Sequence, residues 1–192
     1  MLSGKKLLLA SGSPRRRELL SALDVDTEIV KLVDVDESYP ADLSPAKVAE
    51  YVACKKRDAY DVTSLKNNEI LVTADTVVVQ DGKVLGKPHD ADDAREMLKL
   101  LSGNTHQVVT GVTLSTNSKT VSFSTVTYVH FDTLTDSEIN LYIGQYKPFD
   151  KAGAYGIQEW IGYIGIKGIE GCYYNVMGLP LHDLYKHLRD FE

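Results

Sequence analysis

At 192 residues, with 43% hydrophobic and 25% charged residues, the chain has the length and composition of one globular domain with a full core. Its net charge of -6 argues against a general nucleic-acid binder, which carries a basic stripe. No apolar run approaches the ~20 residues of a membrane span, residues 1–10 show no signal-peptide pattern, and Cys54 and Cys172 offer neither metal spacing nor a disulfide framework. The expected compartment is therefore the cytoplasm.

The first predicted element is a short buried strand over residues 7–10, followed by the small-residue turn Ser11-Gly12-Ser13. Ser13 and Pro14 are the preferred N-cap and first position of a helix expected to run to residue 23. Arg15, Arg16 and Arg17 then crowd its first turn. A helix N-terminus already carries partial positive charge and unpaired N–H donors, so three cations there conflict unless an anion joins them. One arginine would splay into water; three beside a Ser-Gly-Ser turn point to a phosphate.

A strand over 27–33 ends in the acidic loop Asp34-Val35-Asp36-Glu37, and Ser44-Pro45 opens a helix to about residue 60. Val48, Tyr51, Val52, Ala53 and Ala59 make its apolar side, with Lys55 and Lys56 within or beside it. A lone lysine in such a place commonly snorkels, its stem packed and its ammonium in water. Residues 70–79, ILVTADTVVV, read as a central strand covered on both faces. Asp75 sits in its middle and must pair, bind a cation or emerge at a cleft, because an isolated buried carboxylate is costly. It is the best single candidate for catalysis. Asp81-Gly82 signals a hairpin, whose return leads to Gly86-Lys87-Pro88 and sets Lys87 on the same edge as Asp75.

A helix over 90–101 has Ala94, Met97, Leu98 and Leu101 at core spacing, strands are expected over 106–114 and 121–131, and Thr135 with Glu138 matches a capping box opening a helix to about residue 144. Residues 150–168, rich in glycine and aromatics, resist regular assignment; Asp150, Lys151, Tyr155 and Gln158 are their polar groups able to read a ligand. A short strand over 174–177, a turn at Gly178-Leu179-Pro180 and a helix to Phe191 complete the chain.

Several chemistries are excluded by pattern. There is no GxxxxGK[ST] phosphate loop and no GxGxxG after the first strand. The five histidines show no HExxH arrangement. Val77 stands two residues after Asp75, where an aspartyl-nucleophile phosphatase of the haloacid-dehalogenase type wants a second acid. What remains is Arg15, Arg16, Lys56 and Lys87 as cations with Glu37 and Asp75 as carboxylates, a set suited to phosphoryl or nucleotidyl transfer with direct attack by water.

The segments LASGSPRRRELL, DESYP, ADTVV, GKP, LSGNTHQVVTGV, DKAGAYGIQ and NVMGLPL occur in the order and spacing of the Maf family of nucleoside triphosphate pyrophosphatases, which the chain resembles over nearly its whole length. The resemblance implies a mixed α/β fold, related to the inosine triphosphate pyrophosphatases, with an elongated sheet, flanking helices and a cleft between two lobes of one domain. It implies hydrolysis of a nucleoside triphosphate to monophosphate and pyrophosphate with a divalent metal, Mg2+ or Mn2+, held by Glu37 and Asp75. It assigns the cationic and acidic positions to Arg15, Arg16, Glu37, Lys56, Asp75 and Lys87, with Asp75 as general base, and prefers Lys56 to Lys55 because the family's lysine falls three after an alanine, here Ala53. Ser11 and Ser13 would meet the triphosphate with Arg16. Arg15, Thr76 and Gln158 fall on the substrate-discriminating positions, and Arg15 with Gln158 resembles the branch acting on dTTP and UTP, modified pyrimidine nucleotides included. Cys172 stands where a serine is common. A homodimer is in keeping with the family, which is also linked to inhibition of septum formation; a nucleotide-binding regulator of division is thus the alternative to an enzyme.

Overall fold

Strand β1 (Lys6–Leu9) buries Leu7, Leu8 and Leu9 and is paired on both edges. In the computed structural model, which describes Leu2 and residues 4–190, β1 runs parallel to β2 (Asp26–Ile29) and to β3 (Glu69–Gln80), with Leu7 opposite Thr27 on one side and Ile70 on the other. β4 (Lys83–Leu85) returns antiparallel along β3, Leu85 facing Val78. Asp81 and Gly82 of the connecting turn both have positive φ, 50° and 74°, the backbone that a tight hairpin requires. With β5 (Thr105–Ser115), β6 (Thr120–Phe131) and β7 (Ile166–Glu170), the described residues form a seven-stranded sheet in the order β2-β1-β3-β5-β6-β7, β4 lying off β3. The result is a mixed α/β fold with an open sheet flanked by helices, as the sequence leads one to expect.

The described residues group into two compact units. The first contains the chain up to Asp75, Thr110–Thr125 and the segment from Gly178 onward; the second contains Thr76–Val109 and Val126–Met177. In the first unit, helix α1 (Pro14–Ser21) follows β1, and its N-cap Ser13 accepts from the Arg16 amide. Helix α2 (Pro45–Asp58) buries Val48, Ala49, Val52 and Ala53. Tyr51 is 37% exposed and Ala59 is also exposed, so the apolar stripe expected through them turns instead through Ala49. The reason is the very close approach of α2 to β5: a Cβ on Gly111 would lie 2.2 Å from the Glu50 nitrogen and 2.4 Å from the Ala49 oxygen. Only small residues on both elements permit that contact. Helix α7 (Leu181–Arg189) ends before Phe191, which lies outside the described residues.

The second unit has its own core, in which Val78, Leu98, Val108, Phe131, Ile139, Tyr142 and Ile161 pack together. Helix α3 (Ala91–Leu101) is capped by Asp90, which accepts from the Asp92 and Asp93 amides. The expected capping box opens α4 (Asp136–Tyr146), Thr135 and Glu138 bonding reciprocally. Three expectations are corrected. β2 stops at Ile29, not residue 33. The stretch after residue 150 contains a helix, α5 (Trp160–Gly165), and the edge strand β7, paired antiparallel with β6. The short strand expected over 174–177 is instead helix α6 (Tyr173–Met177), in which the buried Asn175 side chain donates to Val108 O and Thr127 Oγ1, both at 3.0 Å. No helix among the described residues is long and apolar enough to cross a membrane.

Candidate active site

The parallel strands β1, β2 and β3 send the chain out in one direction, and the predicted site residues of the first unit lie at that end, the usual location of a site in a parallel sheet. Ser11 and Ser13 follow β1, Glu37 follows β2, and Asp75 stands three residues past the last β1–β3 pair. Two contacts set α2 over β3 in register. Thr73 Oγ1 donates to the Ala53 carbonyl at 2.8 Å in the interior. One helical turn on from Ala53 and two strand residues on from Thr73, Lys56 meets Asp75 with Nζ to Oδ1 at 2.7 Å. Both steps preserve the facing sides, since a helix repeats near three to four residues and a strand every two.

Lys56 Nζ is also 2.9 Å from Glu37 Oε1. The lysine predicted beside an apolar face thus neither snorkels nor packs idly: it joins two carboxylates, with its own side chain 18% exposed and that of Asp75 14% exposed. Glu37 is held there by its neighbours. Asp36 accepts from both the amide and the hydroxyl of Ser38, closing an Asx turn around Glu37. Lys55 Nζ donates to Ser38 O at 2.8 Å and lies 3.5 Å from Asp36 Oδ2. The hydroxyl and amide of Ser38, then Lys55, hold the Asp36 carboxyl below its ordinary value. Adjacent lysines on α2 therefore do different work, Lys55 fixing the loop and Lys56 engaging the acids. The Asp-Glu-Ser spacing was the available sequence signal for this turn.

Arg16 departs most from a simple phosphate socket. Its side chain turns inward: Nε donates to Gly178 O at 2.8 Å, and Nη1 to Ala74 O at 2.9 Å and Ser11 Oγ at 3.4 Å. Burial lowers its pKa, opposed by the negative charge of Asp75 and then Glu37. The guanidinium therefore braces the β1–α1 loop against the strand immediately before Asp75. Ser11 Oγ also accepts from the Ser13 amide at 3.3 Å, tightening the loop. Arg15 is half-buried in the first turn of α1 and Arg17 is exposed.

The other three predicted residues lie in the second unit. Thr76 is half-buried on β3, and Lys87 is exposed on the chain that leaves β4. Gln158 follows the short helical turn Ala152–Ala154, and its Oε1 is buried without a hydrogen-bond partner. Of the other polar groups in this stretch, Tyr155 is packed inside, its hydroxyl bonded to His106 Nε2 at 2.8 Å, and Lys151 is 8% exposed between acids.

Among the described residues no three His, Cys, Asp or Glu side chains are grouped to hold a metal on their own. Two hard carboxylate oxygen donors beside a cation-lined loop nevertheless fit Mg2+ or Mn2+, which take one or two carboxylates when phosphates and waters complete the shell. A depression of about 340 Å³ lined by Lys5, Asn67, Asn68 and Lys119 opens at the amino ends of β1 and β3, the opposite end from Asp75, and contains no carboxylate.

Comparison with known proteins shows what the whole chain is similar to. The profile of the Maf-like protein family matches residues 6–191. A dTTP/UTP pyrophosphatase of Bacteroides thetaiotaomicron is 54% identical over 184 residues, 96% of this chain and 95% of that protein. Those of Porphyromonas gingivalis and Flavobacterium johnsoniae are 53% and 48% identical, over 97% and 95% of this chain and 94% and 93% of theirs. A solved nucleoside-triphosphatase / dITP/XTP pyrophosphatase from Mycobacterium abscessus aligns with a TM-score of 0.40 and 18% identity, over 66% of this chain and 74% of that one.

Proposed function

Because the chain belongs to the family of Maf-like proteins, we propose that it hydrolyses dTTP and UTP to the nucleoside monophosphate and pyrophosphate. The observation that best supports this chemistry is Lys56 between Glu37 and Asp75, 2.9 and 2.7 Å away, at the strand end that carries the Ser11–Ser13 loop. Attack of water on phosphorus needs a base for the departing proton, neutralisation of the polyphosphate and a fixed geometry. Asp75 takes the proton, and Lys56 fixes its carboxylate through Oδ1. Ser11, Ser13 and the α1 N-terminus meet phosphate oxygens, while Arg15 and Lys87 offset their charge. Arg16 acts chiefly from within, holding Ser11 and the Ala74 backbone in place. A divalent metal held by Glu37 and Asp75 would polarise the phosphoryl group and stabilise the departing pyrophosphate.

The choice of base rests with Arg15, Thr76 and Gln158. The imide edge of thymine or uracil offers an N–H flanked by carbonyl oxygens, and the Gln158 amide carries the matching groups, an acceptor for that N–H and donors for those oxygens. A purine presents a different edge and a larger ring. The reading is of a cytoplasmic enzyme acting on free nucleotides.

The test is pyrophosphate release from dTTP, UTP, GTP and 7-methyl-GTP in the presence of Mg2+. Turnover of the two pyrimidine nucleotides is expected, and Asp75→Asn, nearly isosteric, should reduce it by about 10²–10⁴-fold with the fold intact. Binding of every nucleotide without turnover would refute the enzyme, and undiminished turnover by Asp75→Asn would refute its role as base.

A further inference from the structure

The loop that carries Gln158 is held by a chain of polar contacts, most of them partly buried, for which the reaction has no direct use. Lys151, a cation whose side chain is 9% exposed, lies 2.8 Å from Asp150 Oδ1 and 3.1 Å from Glu159 Oε1. The other oxygen of Glu159 accepts a short hydrogen bond from the Tyr142 hydroxyl on α4. That hydroxyl in turn accepts from the Gly156 amide at 3.0 Å, in the interior. Burial and the neighbouring Glu159 both raise the Tyr142 pKa, so it stays a donor toward the carboxylate. Gly156 and Glu159 flank Gln158, and the Glu159 amide closes back onto Gly156 O at 3.0 Å. From the far side, the Tyr163 hydroxyl donates to the Gln158 carbonyl at 2.8 Å.

The side chains lie as close as the backbones. A Cβ on Gly156 would fall 2.9 Å from Glu159 Cδ and 3.2 Å from Gln158 Nε2, so both side chains fold over that glycine. The Gln158 acceptor has no hydrogen bond of its own to hold its direction. Its aim is therefore inherited from the loop. A buried ion pair is a poor way to gain stability, since apolar residues of similar volume commonly do as well, but removing one partner strands the other and shifts the groups it held. Charged contacts of this kind fix geometry.

We propose that Tyr142, Glu159 and Lys151 form a positioning relay that sets the aim of Gln158 and so determines discrimination between pyrimidine and purine triphosphates. The relay touches no reacting atom. It rests on the reading of Gln158 as the base-selecting group.

The experiment compares kcat/KM for dTTP and dGTP in the intact protein, in Tyr142→Phe, Glu159→Gln and Gln158→Ala, and in Tyr142→Phe combined with Gln158→Ala. Tyr142→Phe deletes only the hydroxyl; Glu159→Gln keeps the size of the side chain and serves if Tyr142→Phe does not fold. The expected result is a fall of about tenfold in the dTTP-to-dGTP ratio for either relay variant, the worth of about one hydrogen bond, carried by KM for dTTP. In the double variant the loss should be no greater than in Gln158→Ala alone, because the relay acts only through that residue. A purely structural role would lower the melting temperature or slow both substrates alike and leave the ratio unchanged. An altered ratio in Gln158→Ala with an unaltered ratio in both relay variants overturns the relay alone. An unaltered ratio in Gln158→Ala overturns the base-selecting role on which the relay depends.

Discussion

His106 should make the second unit acid-sensitive. Its imidazole is 2% exposed, lies against the rings of Phe131 and Tyr155 with centroids 5.4 Å away in each case, and bonds Tyr155 through Nε2. Nδ1 is buried without a hydrogen bond, so a second proton there would meet neither water nor an acceptor. Burial, and secondarily the positive charge of His130, lowers the pKa from 6.5 to about 4. Below pH 6.5 the unfolded chain therefore binds a proton that the folded chain refuses, and stability falls as pH falls until His106 titrates in the fold as well. The interval from 6.5 to about 4, at about 1.36 kcal/mol per pH unit, amounts to about 3 kcal/mol. Urea unfolding of the intact protein and of His106→Gln and His106→Leu, measured from pH 7 to pH 4, isolates the contribution. Both variants start less stable, but their curves should fall less steeply between pH 6.5 and pH 4. Parallel curves for all three proteins would refute the buried neutral histidine.

Two further outcomes follow from the first unit. Gly111→Ala places a methyl group 2.2 Å from the Glu50 nitrogen, where carbon contacts want about 3.5 Å, so α2 must retreat by about 1 Å; a loss of about 1–3 kcal/mol in urea unfolding is expected, together with reduced pyrophosphate release because Lys56 rides on that helix. Unchanged stability and activity would mean that the helix has room the geometry denies. Lys56→Met leaves Asp75 and Glu37 without their shared cation, and because the Glu37 side chain is 50% exposed a cost of about 1–3 kcal/mol at neutral pH is expected in urea unfolding; a variant as stable as the parent at pH 7 would refute the coupling.

What the sequence revealed depended on how local the cause was. β3 stood out because nine of the ten residues 70–79 are β-branched or otherwise apolar, and the same run exposed Asp75 as the anomaly that needed a partner. Caps and turns were legible where one short segment satisfies itself, as at Ser13, Asp81-Gly82 and Thr135 with Glu138. α5 was hidden because its glycines serve close approach. A Cβ at Gly162 would lie 1.8 Å from Ile157 O, so low helix propensity was accepted for a packing reason no local pattern displays. α6 was misread for a related reason: Tyr173 and Tyr174 favour a strand, but the partners of Asn175 lie 67 and 48 residues away in sequence. At the site, the residue types and the need of Asp75 for a partner were foreseeable, whereas its pairing with Lys56, the clamp of Asp36, Ser38 and Lys55 and the inward turn of Arg16 are products of tertiary contact.

Arg16 shows how charge conflict can be real and still be resolved in more than one way. Three arginines in the first turn of α1 implied that an anion must join them. The fold meets part of that demand internally: carbonyls at Ala74 and Gly178 receive one guanidinium, and the negative potential of Asp75 and Glu37 opposes its desolvation. The remaining demand falls on Arg15 and on the helix N-terminus. Arg16 and the acid pair are therefore interdependent, since each lowers the cost of the other's burial before any substrate arrives. On the proposed reading, a triphosphate bound at this end of the sheet would meet a loop already braced at Ser11, so its binding energy would not be consumed in ordering that loop and could act on the reacting phosphorus.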